Sequence, residues 1–74
     1  MVKHSSELLE ISVNGEPRSV PAGLTVRRLL LHLDVAPDRV AVELNRRIVR
    51  QPEWDSALVE DGAEVEIVQF VGGG

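Results

Sequence analysis

Residues 65–74 read VEIVQFVGGG, an apolar and largely β-branched run that is followed at once by three glycines. The run Val65–Val71 predicts a β-strand, because valine, isoleucine and phenylalanine suit the pleated, half-buried surface of a sheet. Glycine adopts positive and negative φ alike, so residues 72–74 are expected to form a thin, flexible tail. The reactive group expected on this tail is the α-carboxylate of Gly74. An inert frayed end is the simpler alternative, but the absence of a polar linker after the strand favours a functional tail.

The N-terminal part of the chain predicts a β-hairpin. Residues 7–13 alternate between apolar and polar side chains, which is typical of a half-buried strand. Asn14-Gly15 follows and is a strong hairpin signal, because both turn positions need positive φ. Arg18–Val20 is predicted as a short return strand. Pro17 and Pro21 flank it, which suits an edge strand or the ends of a strand.

One helix is predicted after the hairpin. Its apolar face is formed by residues spaced at i, i+3, i+4 and i+7, namely Val26, Leu29, Leu30 and Leu33. Thr25 is the predicted N-cap, and Pro37 bars continuation, so the helix should end near Asp34. The predicted core consists of Leu29, Leu30 and Leu33 packed against Ile11, Val42 and Ile67.

The second half of the chain predicts two further strands before the last one. Val40–Leu44 and Arg47–Val49 should pair through an Asn45-Arg46 turn, which is weaker than Asn-Gly because arginine resists positive φ. Gln51–Ala57 suggests an irregular helical turn, in which Trp54 would cap one end of the core. Asp61-Gly62 predicts a sharp turn into the last strand.

A hairpin, a helix and three later strands predict an α+β chain with the β-grasp arrangement seen in ubiquitin. The helix should pack across one face of a mixed sheet of four to five strands, with the first and last strands parallel in the middle. The expected domain covers residues 7–71, between a flexible leader at residues 1–6 and the glycine tail at residues 72–74.

Composition narrows the functional classes. The chain has 74 residues and no cysteine, which excludes disulfides, a cysteine-based zinc site and a cysteine nucleophile. A net charge of −4 argues against binding to nucleic acids or anionic membranes and permits a basic protein partner. No apolar run is long enough to span a membrane, and the first six residues lack the apolar core of a signal peptide. We therefore expect a cytoplasmic location.

The order and spacing of these motifs resemble the ubiquitin-like sulfur carriers, and within them the thiamine-pathway branch, the ThiS family. The residues that carry the resemblance are Val13–Arg18, Val40–Asn45, Ile48-Val49, Trp54 and Asp61–Gly74. Two features depart from the family pattern. The leader is longer than usual, and Arg46 stands where a turn glycine would be easier.

This resemblance implies a carrier rather than an enzyme. A ThiF-like activating enzyme would use ATP and Mg²⁺ to adenylate the Gly74 carboxylate, and sulfur from a cysteine desulfurase would then replace AMP to give a thiocarboxylate. A ThiG-like thiazole synthase would take that sulfur for the thiazole ring of thiamine. The chain itself would bind no cofactor and would be monomeric when free. Gly72 and Gly73 would give the tail access to the partner's channel.

Two outward apolar side chains, Val68 and Phe70, are expected on the face opposite Val65 and Ile67. With Val71 they form a candidate docking patch for a partner, although they could instead cover an edge of the helix. Neither the two histidines nor the carboxylates have the spacing of a metal site or an acid–base pair. This applies to His4 and His32 as metal ligands, and to Asp34, Asp38, Glu43 and Glu53 as acid–base residues.

Three alternatives stay open at this point. The small subunit of molybdopterin synthase shares the fold and the tail but delivers sulfur to the molybdenum cofactor. A ubiquitin-like modifier would be attached to lysines of other proteins. A plain binding module would have an inert tail.

Overall fold

A central strand organises the sheet in the computed structural model, which describes residues 7–70. Five strands form one mixed sheet in the order β2-β1-β5-β3-β4. The elements are β1 (Leu8–Val13), β2 (Glu16–Pro21), α1 (Val26–His32), β3 (Val40–Leu44), β4 (Arg47–Val49) and β5 (Glu64–Gln69). Short 3₁₀ turns lie at Pro37–Arg39 and Gln51–Glu53. β1 and β5 are parallel and all other neighbours are antiparallel, which confirms the predicted β-grasp fold.

Both hairpins close through turns with two consecutive residues at positive φ. The first turn has Asn14 at φ 52° and Gly15 at 84°, and the second has Asn45 at 53° and Arg46 at 70°. Two positive φ values define the turn type whose twist matches that of the flanking strands. The second turn therefore forms despite Arg46, and the asparagine at its first position tolerates the left-handed region.

The strand β2 is longer than the predicted Arg18–Val20 and includes both flanking prolines. Pro17 lies opposite Ser12 of β1, and Pro21 lies opposite Leu8. Proline removes a backbone N–H, which is tolerated where that side of the strand has no neighbour. Since β2 is an edge strand, the prolines extend it rather than bound it.

The helix α1 begins as predicted and ends for a different reason. Its N-cap Thr25 accepts a hydrogen bond at Oγ1 from the backbone N–H of Arg28, at 3.2 Å. The C-terminal end is set by Asp34, whose φ of 61° turns the chain out of the helix. The N–H of the next residue, Val35, donates to a helix carbonyl at 2.9 Å, as in a Schellman cap. The helix has thus ended before Pro37 can act.

The core lies between α1 and one face of the sheet. Its buried members are Ile11, Val20, Val26, Leu29, Leu30, Val40, Val42, Trp54, Val59, Ala63 and Val65. Of the predicted set, Leu33 and Ile67 are only partly buried and pack at the periphery of the core. Leu33 lies at the end of the helix, where the chain turns away from the sheet.

Trp54 is a full member of the core, rather than a cap at one end of it. Its side chain is 1% exposed, and the indole N–H donates to the carbonyl of Val49 at 2.8 Å. The guanidinium of Arg27 lies 5.7 Å from the ring centroid and is held there by an ion pair with Asp55 at 2.6 Å. The loop after β4 is thereby fastened to the helix.

Candidate functional site

The strand β5 has one face in the core and the other face open. Val65 is buried and Ile67 partly buried on the side of α1, whereas Val68 and Phe70 point away from the helix. This alternation is as the sequence predicts. Val68 and Phe70 are 56% and 58% exposed, so neither covers an edge of the helix.

An apolar patch surrounds these two side chains on the face of the sheet opposite α1. It consists of Ala41, Ile48, Val68 and Phe70, and we refer to it as the outer patch. Ala41 is the cross-strand partner of Val68, while Ile48 is 71% exposed and lines a shallow groove together with Phe70 and Ala41. Ile48 and Ala41 were not among the predicted docking residues. The sequence indicates their position through the alternation of side chains along β3 and β4, which places every second residue on this face.

A band of carboxylates borders the outer patch. Glu43 of β3 and Glu66 of β5 are cross-strand partners, and both are exposed on the same face as Val68. Glu64 is the first residue of β5 and forms an ion pair with Arg46 at 3.4 Å. The outer face therefore combines an apolar end, near Phe70, with an acidic middle.

The turn of the first hairpin forms hydrogen bonds with the backbone of β5. The Asn14 side chain accepts a hydrogen bond from the N–H of Ile67 at 2.7 Å and donates to the carbonyl of the same residue at 3.2 Å. The backbone N–H of Asn14 also donates to the carbonyl of Val65 at 2.8 Å. The direct pairing of β1 with β5 covers only two residue pairs, so this side chain continues the ladder past the end of β1.

The turn of the second hairpin forms hydrogen bonds with the first residue of the same strand. Asn45 accepts a hydrogen bond at Oδ1 from the N–H of Glu64 at 2.9 Å, and its own N–H donates to the Glu64 carbonyl at 2.7 Å. Two asparagines at equivalent turn positions thus hold β5 from its two sides. Sequence analysis assigned both residues to turns and missed this second role.

Regular pairing continues to the last described residue. The backbone N–H of Phe70 donates to the carbonyl of Arg39 at 2.8 Å, one residue beyond β5. Val71 and the predicted tail residues Gly72, Gly73 and Gly74 lie outside the described residues, as does the predicted leader at residues 1–6. Their roles and the predicted domain limits stay predictions.

Residues 7–70 contain neither a metal-binding cluster nor a helix that could span a membrane. No three histidine, aspartate or glutamate side chains between residues 7 and 70 gather in a way that could hold a metal ion. In the same range, α1 and the 3₁₀ turns are all too short to cross a bilayer as an apolar helix.

Comparison with known proteins gives a consistent family. The ThiS family model matches residues 11–74. The thiazole synthase of Magnetococcus marinus is 38% identical over 66 residues, which are 89% of this chain but only 20% of that protein. The Escherichia coli sulfur carrier protein ThiS is 32% identical over 89% of this chain and 100% of its own length. The crystal structure of the thiamine biosynthesis protein ThiS from Geobacter metallireducens superposes with a TM-score of 0.78 at 39% identity, and covers 89% of this chain and 100% of that one. The chain therefore belongs to the ThiS family.

Proposed function

We propose that this chain is a sulfur carrier for thiamine biosynthesis and a co-substrate of its partner enzymes rather than an enzyme itself. The observation that carries the proposal is the family match, which extends through the glycine segment to Gly74. The sulfur would be carried as a thiocarboxylate on the α-carboxyl group of Gly74.

The proposed chemistry follows from the poor reactivity of a free carboxylate. A ThiF-like activating enzyme, with ATP and Mg²⁺, would join the Gly74 carboxylate to AMP and release pyrophosphate. Sulfur from a cysteine desulfurase, delivered as a persulfide, would then form the carbon–sulfur bond while AMP leaves, and a second thiol would break the sulfur–sulfur bond by forming a disulfide and so free the thiocarboxylate. Because these partners supply the catalytic groups and the nucleotide, the carrier supplies only the tether and the docking surface. Since the partners need ATP, we propose that the protein acts in the cytoplasm.

The described residues support this division of labour. β5 is held between β1 and β3, and the last residue that the structure describes, Phe70, still donates a backbone hydrogen bond to Arg39. The residues that follow would therefore start from a fixed point on the sheet. Val68 and Phe70 stand exposed beside that point, where a partner that receives the tail can contact them, and Val71 is proposed as the third docking residue.

The proposed acceptor of the sulfur is a ThiG-like thiazole synthase. A segment of the Magnetococcus marinus thiazole synthase is similar to this chain, which supports a working association between the two kinds of protein. The chain spans only about a fifth of that relative, so its synthase activity is not attributed to this chain.

The test is the intact mass of the purified chain after incubation with the activating enzyme, ATP, Mg²⁺ and a sulfur donor. We expect the exchange of one oxygen for sulfur in the wild type. Gly73→Val should abolish conversion, because a Cβ narrows the clearance in a channel and a displacement of ~1 Å can lower a rate by about a hundredfold. Deleting Gly74, or adding one residue after it, should have the same effect.

A matched control is the addition of one residue before Met1, which should leave conversion unchanged. All of these variants should melt like the wild type, because none alters the described core. Conversion of all three tail variants at the wild-type rate would show that the tail is inert. Transfer of the sulfur to molybdopterin synthase and not to thiazole synthase would assign the chain to the other sulfur-carrier branch.

A further inference from the structure

We propose that the outer face of the sheet binds a protein surface that has an apolar centre and a lysine or arginine placed to bridge Glu43 and Glu66. The partner would be an enzyme that acts on the tail, so the inference rests on the proposed function. It adds a condition that the partner must meet besides accepting the tail.

Two carboxylates, those of Glu43 and Glu66, lie side by side on the outer face of the sheet. Glu43 and Glu66 lie directly opposite each other on neighbouring antiparallel strands, and both side chains are exposed on the outer face. Residues placed in this way have Cβ atoms about 4.5–5.5 Å apart, and like charges there are destabilising. The sheet therefore has two negative charges side by side near its centre, at a position where many other residues would be more stabilising.

No ion pair within the described residues neutralises these two carboxylates. In the range from residue 7 to residue 70, neither Glu43 nor Glu66 has an ion-pair partner. Arg46 lines a groove together with both carboxylates, but its ion pair is with Glu64, at 3.4 Å. A bridging cation is therefore something that a partner could add.

The outer patch lies next to the two carboxylates. Glu43 is the cross-strand partner of Ile48, and Glu66 lies two residues from Val68 on the same face of β5. The carboxylates thus form one border of the outer patch, and Phe70 at the other end leads towards the tail. An apolar centre with charges at its rim is the usual composition of a specific protein interface.

The paired carboxylates and the outer patch together define the chemistry of the partner. Docking an apolar surface onto the outer patch would remove water from the neighbouring carboxylates, and two like charges lose more from desolvation than one. A purely apolar partner would be disfavoured, and an acidic one would be repelled. A guanidinium or ammonium group between the carboxylates removes the repulsion and gives charge-assisted hydrogen bonds. The same pair then selects against wrong partners.

Removing the two charges should change affinity for the partner and stability of the fold in opposite directions. The double variant Glu43→Gln/Glu66→Gln keeps the side-chain shapes and removes both charges. Its thermal midpoint should equal or exceed that of the wild type. Its dissociation constant for the activating enzyme or for thiazole synthase, measured by titration calorimetry with each purified enzyme, should rise by about tenfold or more. The affinity should also depend less steeply on salt concentration.

Glu60→Gln is the control for the single variant Glu66→Gln, because it removes one exposed carboxylate from the loop before β5, outside the strands that form the outer face. It should leave both affinities unchanged. The single variant Glu66→Gln serves as a second probe in case the double variant does not fold, and it should weaken binding by a smaller factor.

The outcomes separate this inference from the proposed function. If the wild type is converted to the thiocarboxylate while the glutamine variants bind both enzymes with wild-type affinity, the inference is wrong and the carrier function stands. If the wild type is neither converted nor bound, both fail together. Self-association of the wild type that Phe70→Asp abolishes would assign the outer face to a second copy of this chain and would also overturn the inference.

Discussion

Replacing Asn14 with glycine should remove the side-chain hydrogen bonds to β5 while leaving the first hairpin turn intact. Asn14 has a φ of 52°, which glycine adopts without strain, so the turn needs no asparagine for its backbone. What the substitution removes is the pair of hydrogen bonds with the N–H and the carbonyl of Ile67, at 2.7 and 3.2 Å.

The expected loss follows from the number of bonds. A protein hydrogen bond contributes about 0.5–1.5 kcal/mol to net stability, so two of them give about 1–3 kcal/mol. Asn45→Gly is a close control, because Asn45 has nearly the same φ of 53° and its side chain makes one such bond, to the N–H of Glu64. It should lower the free energy of unfolding by about 0.5–1.5 kcal/mol. The greater freedom of glycine in the unfolded chain is common to both variants and cancels in the comparison.

The assay is urea unfolding of both variants together with amide hydrogen exchange. The unfolding midpoint should fall further for Asn14→Gly than for Asn45→Gly, with the denaturant slope unchanged. The amide of Ile67 should exchange faster in the first variant, and the amide of Glu64 in the second. Equal losses of stability, or an unchanged exchange rate at Ile67 in Asn14→Gly, would refute the role assigned to the side chain.

Two further substitutions test the two faces of the domain. Leu30→Ala should lower the free energy of unfolding by about 2–5 kcal/mol, because the side chain is fully buried between α1 and the sheet, and a thermal midpoint that barely moves would contradict this. Phe70→Asp should leave the thermal midpoint close to that of the wild type, because the ring is outside the core, and should weaken binding to the activating enzyme or the synthase in calorimetry. Loss of folding in this variant would instead make Phe70 a structural residue.

Much of the fold was predictable because its signals are local. The third and fourth strands, Val40–Leu44 and Arg47–Val49, form over the predicted residues, and the alternation along β5 is as expected. Each depends on side-chain periodicity within a few residues. The parallel placement of β1 and β5 was also predictable, because a hairpin followed by a helix leaves few ways to complete one sheet.

The features that escaped prediction depend on contacts between distant residues. The side-chain hydrogen bonds of Asn14 and Asn45 reach residues 53 and 19 positions away, and a turn signal does not reveal them. The burial of Trp54 depends on the carbonyl of Val49 and on packing against the core. The helix ends near Asp34 as predicted, but the cause was not predicted: Asp34 adopts the left-handed conformation that glycine usually supplies.

The register of β5 connects the stability of this domain with its proposed function. In a strand, a slip of one residue moves every side chain to the opposite face. Such a slip would bring Val68 into the core and turn Ile67 outwards, so it would remove both the outer patch and part of the core packing. The direct pairing with β1 is short, and the two asparagines fix β5 at Glu64 and at Ile67. They therefore help to determine which side chains of β5 face outwards from the sheet. For this reason, Asn14→Gly should slow the conversion of Gly74 to the thiocarboxylate, measured by intact mass, as well as lower the free energy of unfolding. This is expected even though Asn14 would not itself contact the nucleotide of the activating enzyme.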